Sequence, residues 1–449
     1  MKPKIFSGAE VFDFQSNTWQ KWDILIDENG KIAEIAGWGK IEEGSNGKES
    51  AKIEKIDLTG KKISLGFVDI HVHLREPGLE EKEDIASGTR AARAGGYTHV
   101  VAMANTIPVL DNFEVVQDLS ERIKQKALVN TFTNVAITEG LAGQKMVEME
   151  KIATLPLVKG FSDDGKGVQS AEMMRQAMLR AKAAGLPIVA HCEDEREVAT
   201  GGIIDEGEVA ERNGLIGISH LSEANEVGRN IELAVETGAR LHLCHISTAE
   251  SVEHLKKFQE IQKESESSVR ITAETAPHYL MLTVDEVEKN NFDPSFKMNP
   301  PLRTKNDQEA LIQALNEEII QVIATDHAPH TREEKAQDIQ KVPFGAIGVQ
   351  FAFPLLYEKL VKTGRVELAT ILRALTFHPV RVIGLADQHQ IEVGCPANLT
   401  ILDLNAPLQT ITPEASLSKA INCPFNGEKV TAQIWGTVIN GELTKREDF

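Results

Sequence analysis

The amino-acid sequence predicts an α/β fold, a closed (β/α)8 TIM-like barrel with a small β-sandwich domain that is built from both chain termini. Three observations predict it. Eight short apolar runs, each ending in polar residues, alternate with segments in which apolar residues have helical spacing. Several of these helical segments end in glycine directly before the next run, as helix C-termini often do. Both ends of the chain consist of short strand-like pieces separated by turn residues.

The eight apolar runs are the candidate barrel strands. They are Ile63–His73, Thr98–Asn105, Asn130–Ile137, Leu157–Asp163, Leu186–His191, Leu241–His245, Val269–Glu274 and Val322–Thr325. The clearest helical segments between them are Lys82–Ala94, Ala171–Ala184 and Asn225–Thr237. Strand–helix alternation of this length indicates parallel strands with crossover helices. The alternative is an open doubly wound sheet, but its first strand normally precedes a glycine-rich phosphate turn, and here it ends in HVHLREPG.

The same pattern divides the chain into domains. It predicts that residues 61–385 form the barrel, which would be the catalytic domain. Residues 1–60 and 386–449 predict the two parts of the β-sandwich, with Leu399–Leu404 among its clearest strands. The polar segment Gln262–Ser268 predicts an exposed helix end followed by a loop.

Composition excludes several classes of protein. The net charge of −19 argues against a general affinity for nucleic acid or for an anionic membrane surface. No run approaches the roughly 18 apolar residues that span a bilayer, and the N-terminus lacks the features of a signal peptide. The four cysteines show no CxxC spacing, and Cys192 and Cys244 lie in apolar runs where we expect buried thiols. These observations together predict a cytoplasmic protein.

The first candidate strand ends in alternating ionisable residues. Side chains alternate across a strand, so Asp69, His71, His73 and Arg75 are expected on one face. At the C-terminal ends of barrel strands that face forms the active site. Two histidines at this spacing bind one metal ion or make two ordinary polar contacts, and alone they do not decide between these alternatives.

Other candidate strands also end in single ionisable residues. These are Asp163 and Asp164, His191, His245, and Asp326. Each by itself could be a helix N-cap or an ordinary hydrogen-bonded side chain. Convergence of four histidines and two or three aspartates on one rim favours zinc or a related divalent ion, with more ligands than one tetrahedral site needs. The residues therefore predict two metal ions that share one carboxylate and a hydroxide nucleophile.

Specific motifs identify the family that the chain resembles. GFVDIHVHLREPG is followed in order by SDDGKGVQ, VAHCED, LCHIS, KMNPPLR, ATDHAPH and PFG. This series resembles a class I dihydroorotase of the amidohydrolase superfamily over residues ~60–350, and the β-rich tails match that family's small domain. The opening HxH is common to the superfamily, whereas the combination of HLREPG, DDG, MNPPLR and TDHAPH is much more specific.

The resemblance implies a role for each matching residue. It assigns one zinc ion to His71, His73 and Asp326, and the second to His191 and His245. Asp164 and a hydroxide would bridge the two ions, and Asp326 would also act as the general acid and base. Substrate contacts are assigned to His73, Arg75, Asn105, Asn299, His330, Phe344 and Gly345.

Alternatives remain for three features of the site. The bridge could be Asp163 or, as in hydantoinase-like relatives, a carbamylated lysine, for which Lys159 is the candidate. The segment Ala328–Phe344 predicts either a mobile lid or an ordinary solvated loop. The proline-containing segment Lys297–Arg303 predicts either a rigid loop or a rim that brings Asn299 and Arg303 over the substrate.

The implied activity is the reversible cyclisation of N-carbamoyl-L-aspartate to L-dihydroorotate in pyrimidine synthesis. A hydantoinase or allantoinase is the second hypothesis, but Arg75, Asn105 and TDHAPH suit a ring that carries a carboxylate. The third is a non-catalytic scaffold for aspartate carbamoyltransferase, which would be expected to lack metal ligands. The resemblance also implies a homodimer and, as an alternative, a complex with that transcarbamoylase.

Overall fold

The computed structural model describes residues 1–41, 53–264 and 269–448. The strands are β1 (Lys4–Ser7), β2 (Glu10–Asp13), β3 (Thr18–Ile26), β4 (Ile32–Gly37), β5 (Glu54–Asp57), β6 (Lys62–Leu65), β7 (Phe67–Val72), β8 (Tyr97–Ala102), β9 (Asn130–Val135), β10 (Val158–Phe161), β11 (Ile188–Ala190), β12 (Ile204–Asp205), β13 (Gly217–Ile218), β14 (Leu241–Leu243), β15 (Ile271–Thr275), β16 (Val322–Ile323), β17 (Leu399–Asp403), β18 (Gln409–Thr410), β19 (Lys429–Val430), β20 (Gln433–Ile439) and β21 (Glu442–Lys445). The helices are α1 (Ile85–Ala94), α2 (Phe113–Lys126), α3 (Met149–Ile152), α4 (Ala171–Ala183), α5 (Glu208–Arg212), α6 (His220–Thr237), α7 (Ala249–Glu264), α8 (Pro277–Met281), α9 (Val284–Lys289), α10 (Lys305–Asn316), α11 (Arg332–Lys335), α12 (Ala352–Leu356), α13 (Leu368–Leu375) and α14 (Phe377–Val382).

Eight strands form the predicted barrel. They pair side by side in the order β7, β8, β9, β10, β11, β14, β15 and β16, and every pair is parallel. The ends of this sheet meet after β16, where Val72 forms a parallel bridge with His327 and the His73 N–H donates to the His327 carbonyl at 2.9 Å. The (β/α)8 prediction is confirmed, and the open doubly wound alternative is wrong.

Local capping explains where the helices around the barrel begin and end. Asp84 and Ser87 form a reciprocal capping box at the start of α1, which satisfies backbone N–H groups that the helix leaves unpaired. The Ser219 hydroxyl caps α6, so this helix begins five residues before the predicted segment Asn225–Thr237. Gly238 ends α6 at φ 67°, a left-handed conformation that glycine adopts without a steric penalty.

Both chain ends contribute to the second sheet. Its nine strands run in the order β21, β20, β17, β6, β2, β3, β1 and β5, with β4 paired to β3. A separate apolar cluster lies beneath these strands and draws residues from both ends. It contains Phe6, Ala9, Val11, Ile24, Ile26, Ile32, Ile56, Leu58, Ile63, Ala397, Leu399, Ile401 and Val438. The predicted terminal β-domain is confirmed, since neither end of the chain could bury this surface alone.

The predicted first strand, Ile63–His73, is two strands. β6 pairs with β17 in the terminal sheet, and β7 pairs with β8 in the barrel. Gly66 separates them, and a Cβ at this position would lie 2.2 Å from Oγ1 of Thr98. Period-two alternation runs through both pieces, so the sequence pattern does not reveal that the chain changes sheets here. The domain limits at residues 60/61 and 385/386 stay a prediction.

Two further sequence predictions concern the polar segment Gln262–Ser268 and the cysteines. Residues 265–268 of the predicted exposed segment Gln262–Ser268 lie outside the described residues. Cys192 and Cys244 are buried free thiols, as predicted. Across residues 1–41, 53–264 and 269–448, no helix has both the length and the apolar composition needed to cross a membrane.

Candidate metal centre and substrate pocket

The carboxyl ends of five barrel strands bring the predicted metal ligands together. His71 lies in β7 and His73 directly follows it; the remaining residues follow four other strands within three positions. These residues are Asp164 after β10, His191 after β11, His245 after β14 and Asp326 after β16. Parallel strands in a barrel all end on the same face, and the loops on that face form a common pocket.

Asp164 lies at the centre of the histidine cluster. Its Oδ1 is 3.3 Å from Nε2 of His71 and 3.8 Å from both Nδ1 of His191 and Nε2 of His245. Its Oδ2 is 3.7 Å from Nε2 of His73. One carboxylate therefore faces imidazole nitrogens from four histidines, which lie on three different strands or strand ends.

Asp326 approaches the same cluster from the last strand. Its Oδ1 lies 3.0 Å from Nε2 of His73 and 3.6 Å from Nε2 of His71. Two sets of ligand atoms consequently gather within 4.8 Å, one from His71, His73 and Asp326, the other from His71, Asp164 and His245. Asp326 and His245 both have positive φ, 48° and 34°, a strained conformation that costs about 1–3 kcal/mol and is typical of functional sites.

The donor set fits a divalent metal ion. Nε2 of His71 and Nδ1 of His245 are buried and have no hydrogen-bond partner among the described residues. Buried polar atoms are nearly always satisfied, and Nε2 of His71 lies 3.3 Å from Oδ1 of Asp164, so this unpaired nitrogen beside a carboxylate indicates a site for an electrophilic partner. Imidazole nitrogens and carboxylate oxygens are ligands that zinc accepts.

Both carboxylates are held in the ionised form that a metal ligand needs. Burial favours the neutral acid, but the charges of His71 and the neighbouring histidines hold the pKa of Asp164 well below its usual range. Burial opposes ionisation of Asp326 as well, and His71 and His73 outweigh it, lowering the pKa of Asp326 to about 2.

Glu274 is a site residue that sequence reasoning missed. The Nδ1 N–H of His71 donates to its Oε1 at 2.6 Å, and Nε2 of His242 lies 3.0 Å from its Oε2. A carboxylate at this position fixes the tautomer of His71 and turns Nε2 toward the candidate metal. Glu274 ends the predicted strand Val269–Glu274, so the placement rule that found the other residues could have found it.

Asp163 and Lys159 point away from the cluster. Oδ1 of Asp163 accepts hydrogen bonds from the backbone N–H groups of Ile137 at 2.7 Å and Thr138 at 3.0 Å. Nζ of Lys159 lies over the ring of Phe132, 4.5 Å from its centroid. Asp69 does not join the cluster either, because its carboxylate accepts from the backbone and hydroxyl of Thr325 at 3.1 and 2.5 Å.

A cationic corner lies beside the cluster. Nε of Arg75 donates to the carbonyl of Pro329 at 3.2 Å, and its Nη2 is 3.4 Å from Nε2 of His330. That same His330 nitrogen is 2.8 Å from the carbonyl oxygen of Phe344. Burial and the charge of Arg75 lower the pKa of His330, so the imidazole is neutral beside the guanidinium.

Gly345 makes the close approach at this corner possible. It has φ of +133°, and a Cβ there would lie 2.8 Å from Cβ of Ala328 and 3.1 Å from Nε2 of His330. A larger residue would push the Phe344–Gly345 segment away from His330. The sequence therefore needs glycine at this position of PFG to form the corner.

The two predicted asparagines bind different parts of the cluster. Oδ1 of Asn105 is 2.9 Å from Nδ1 of His73, and its Nδ2 donates to Oδ2 of Asp164 at 3.2 Å. Nδ2 of Asn299 donates to Oε2 of Glu193 at 3.1 Å. Oε2 of Glu193 in turn lies 3.3 Å from Nε2 of His191, which makes Glu193 a second residue that sequence reasoning missed.

The rim segments are tied to one another. Nζ of Lys335, within the predicted lid or loop Ala328–Phe344, donates to the carbonyls of Pro343 at 2.8 Å and Pro294 at 3.1 Å. Motion of the segment Ala328–Phe344 as a lid stays a prediction. Arg303 does not reach the pocket, because its guanidinium forms a buried ion pair with Asp205 at 2.7 Å.

Solved structures show the same architecture. L-hydantoinase from Arthrobacter aurescens matches with a TM-score of 0.85 and 23% identity, over 99% of this chain and 96% of that one. Dihydropyrimidinase from Brevibacillus agri matches with a TM-score of 0.81 and 22% identity, over 99% and 95%. At this identity the likeness establishes the fold alone.

Sequence relatives are much closer. A family model described as dihydro-orotase-like matches residues 60–251. A dihydroorotase of Bacillus cytotoxicus is 42% identical over 426 residues, which are 95% of this chain and 94% of that protein. A dihydroorotase of Staphylococcus epidermidis is 44% identical over 399 residues, 89% of this chain and 91% of that protein. The chain therefore belongs to the dihydroorotase family of the amidohydrolase superfamily.

Proposed function

We propose that this protein is a zinc-dependent dihydroorotase that interconverts N-carbamoyl-L-aspartate and L-dihydroorotate. The observation that carries the proposal is the position of the Arg75–His330 corner on the same barrel face as the carboxylate–histidine cluster around Asp164. The cluster suits hydrolysis of an amide, and the corner suits a substrate carboxylate. Relatives named dihydroorotase over nearly the whole chain support the same activity.

The cluster would hold two zinc ions. His71, His73 and Asp326 would bind one ion, His191 and His245 the other, and Asp164 would lie between them. When bound, such a pair polarises a carbonyl oxygen and makes water acidic enough to act as a nucleophile near neutral pH. Glu274 and Asn105 would hold His71 and His73 in position for these ions.

Asp326 would move the proton. In the hydrolytic direction its ionised carboxylate accepts a proton from the attacking water and delivers it to the ring nitrogen as the amide bond breaks. Ring closure is the reverse: the carbamoyl N–H gives its proton to Asp326 as the nitrogen bonds to the carbon of the substrate's carboxylic acid group. Asp326 returns that proton to the acid hydroxyl, which leaves as water. Asp326 is suited to this role because histidines keep it ionised and its Oδ1 lies 3.0 Å from Nε2 of His73 in the cluster.

The remaining residues would hold and orient the substrate. A planar guanidinium binds a carboxylate through two parallel hydrogen bonds, so Arg75 is the main anchor, assisted by Asn105 and His330. Asn299 and the Phe344–Gly345 backbone would complete the ring pocket. The acyclic substrate has several rotatable bonds, so holding it folded contributes directly to the rate of ring closure.

A hydantoinase or allantoinase is the second candidate. The fold likeness to hydantoinases is consistent with it, but Arg75, half-buried beside His330, favours a ring that carries a carboxylate. A metal-free scaffold is less well supported, because every metal ligand that the resemblance requires is in the chain.

The deciding experiment measures turnover by the purified zinc-loaded protein. L-dihydroorotate, hydantoin and allantoin are supplied separately, with and without aspartate carbamoyltransferase. We expect ring opening of dihydroorotate and about two zinc ions per chain. Turnover of hydantoin or allantoin alone would reject the substrate assignment, and a protein that binds no metal would reject the proposal entirely.

The assembly and location are proposed on the family resemblance. We expect a homodimer. The turnover assay with added aspartate carbamoyltransferase tests the alternative that activity requires that partner. A small-molecule substrate and a cytoplasmic location complete the proposal.

A further inference from the structure

A short C-terminal segment, residues 417–423, packs against the rim of the barrel. The Ser418 hydroxyl donates to Oε2 of Glu83, and the Lys419 N–H donates to its Oε1 at 3.3 Å. Oε2 of Glu83 lies 3.4 Å from Nε2 of His327, the residue directly after Asp326. A segment more than 90 residues away in sequence therefore reaches the loop that follows the last barrel strand.

Asn422 makes the most direct contact in this segment. Its Nδ2 donates to the carbonyl oxygens of Gly345 at 3.0 Å and Ala328 at 3.2 Å, and its Oδ1 accepts from the His330 N–H at 3.4 Å. Asn422 is buried, with 3% of its surface accessible. The buried Asn422 amide thus uses both of its donor hydrogens and its acceptor oxygen in hydrogen bonds to the backbone of the Arg75–His330 corner.

These backbone contacts determine where the corner's functional groups lie. The loop 328–330 and the segment at Gly345 are already joined by the Ala328 N–H, which donates to the Ala346 carbonyl at 2.8 Å. Within the described part of the chain, the carbonyls of Ala328 and Gly345 and the N–H of His330 have no backbone hydrogen-bond partner. Asn422 satisfies all three at once, and an unpaired buried group of this type is costly.

We infer that Asn422 is a positioning residue that promotes substrate binding by fixing the backbone of His330 and Gly345 at the corner beside Arg75. The inference rests on the proposed function, in which this corner binds the substrate carboxylate. Asn422 does not touch the metal ligands in the contacts described, so its loss is expected to weaken substrate binding while the metal centre stays intact.

The test compares three variants of the full-length zinc-loaded protein. Asn422→Ala removes the amide, and Asn422→Asp keeps its shape but replaces both donor hydrogens by a charge. Asn426→Ala is the matched control, because Asn426 is exposed and its side chain makes no hydrogen bond within the described part of the chain. We expect both Asn422 variants to raise KM for dihydroorotate about tenfold or more, with kcat changed less than about threefold and zinc content unchanged.

A double variant separates positioning from a general loss of structure. On a His330→Ala background, Asn422→Ala should raise KM by less than about threefold, because the group that it positions is already absent. An unchanged KM in the zinc-loaded Asn422 variants would overturn the inference. So would an equally large effect on the His330→Ala background, or failure of both Asn422 variants to fold.

Hydrogen exchange tests the inference without relying on turnover. Peptides covering residues 327–347 should exchange faster in Asn422→Ala than in wild type or Asn426→Ala, while peptides containing Asp164 and His191 exchange equally. Unchanged exchange at 327–347 would overturn the inference. If wild type does not open dihydroorotate, the proposed function fails, and this exchange measurement still decides whether Asn422 positions the corner.

Discussion

Glu274 and His71 form a buried pair, with Oε1 of Glu274 2.6 Å from Nδ1 of His71. Burial favours protonation of Glu274, but His71 and His242 hold its pKa below the usual range, so the carboxylate is ionised and accepts from Nδ1. Nε2 of His71, on the other side of the ring, faces Asp164 and Asp326. This pair orients a buried histidine for its proposed role as a metal ligand.

Glu274→Gln is therefore expected to weaken metal binding about 10- to 100-fold. The amide retains the size of the side chain but loses the charge that fixes the tautomer of His71. Metal content after dialysis against graded chelator concentrations measures the effect. Glu260→Gln, on the exposed face of α7, is the control. Equal metal retention in the two variants would contradict the assigned role of Glu274.

Asp163 and Asp164 are neighbours in sequence, but we expect their replacement to have different effects on metal binding and on stability. Asp164→Ala should lose metal and activity, because Asp164 is the carboxylate among the histidines. Asp163→Ala should keep its metal but lose about 1–3 kcal/mol of stability, since the N–H groups of Ile137 and Thr138 lose their acceptor. Elemental analysis and urea unfolding of both variants distinguish these outcomes. Metal loss in Asp163→Ala alone would reverse the assignment.

Asp326→Ala is expected to lower turnover by several orders of magnitude, because it removes a proposed metal ligand and the proposed proton carrier together. Asp326→Asn retains a ligand oxygen, so it should keep more metal than Asp326→Ala and still be inactive. Steady-state rates normalised to bound metal measure both effects. Near-normal activity in either variant would show that the residue after β16 has been misassigned.

Arg75→Lys is expected to raise KM for dihydroorotate about 10- to 100-fold, with a smaller change in kcat. Lysine keeps the charge but lacks the planar fork that binds a carboxylate through two hydrogen bonds. Arg90→Lys, at an exposed position of α1, is the matched control. An unchanged KM in Arg75→Lys would show that another residue anchors the substrate carboxylate.

His220 should make the stability of the protein depend on pH above neutrality. A hydrogen bond to Asp205 raises its pKa from 6.5 to about 9, opposed by partial burial. The surrounding charges are Asp205, Glu250, Asp307 and the partly opposing Arg303. Because the folded-state pKa is the higher one, the stabilisation is complete below about pH 6.5 and is lost as pH rises through about 9.

The corresponding variant is His220→Gln. Its unfolding free energy should fall below that of wild type by about 1–3 kcal/mol near pH 6, and the difference should largely vanish near pH 10. Urea unfolding at constant zinc concentration measures it. His254→Gln is a control of opposite sign, because burial lowers the pKa of His254. A difference for His220→Gln that does not depend on pH would contradict the ion-pair explanation.

The features of the fold that the sequence predicts depend on short-range patterns of apolar residues. Apolar spacing of period two and 3.6 predicts strands and helices, and a closed parallel barrel brings every strand end to one face. His71, His73, His191, His245 and Asp326 could therefore be placed near one another before any tertiary contact was known. Glu274 obeys the same rule, but the sequence does not show that its carboxylate pairs with His71, which lies 203 residues away.

The sequence alone determined the barrel, the two-ended β-domain and the strand ends that carry ionisable residues, since each follows from short-range periodicity. Only the tertiary structure decided that Asp164 rather than Asp163 faces the histidines, that Arg303 is buried against Asp205, and that Asn422 reaches the rim. The strand that looked continuous through Gly66 likewise belongs to two sheets. Such choices depend on barrel closure and on contacts between distant segments, because side-chain direction after a strand end is set by what packs against it rather than by its neighbours in sequence.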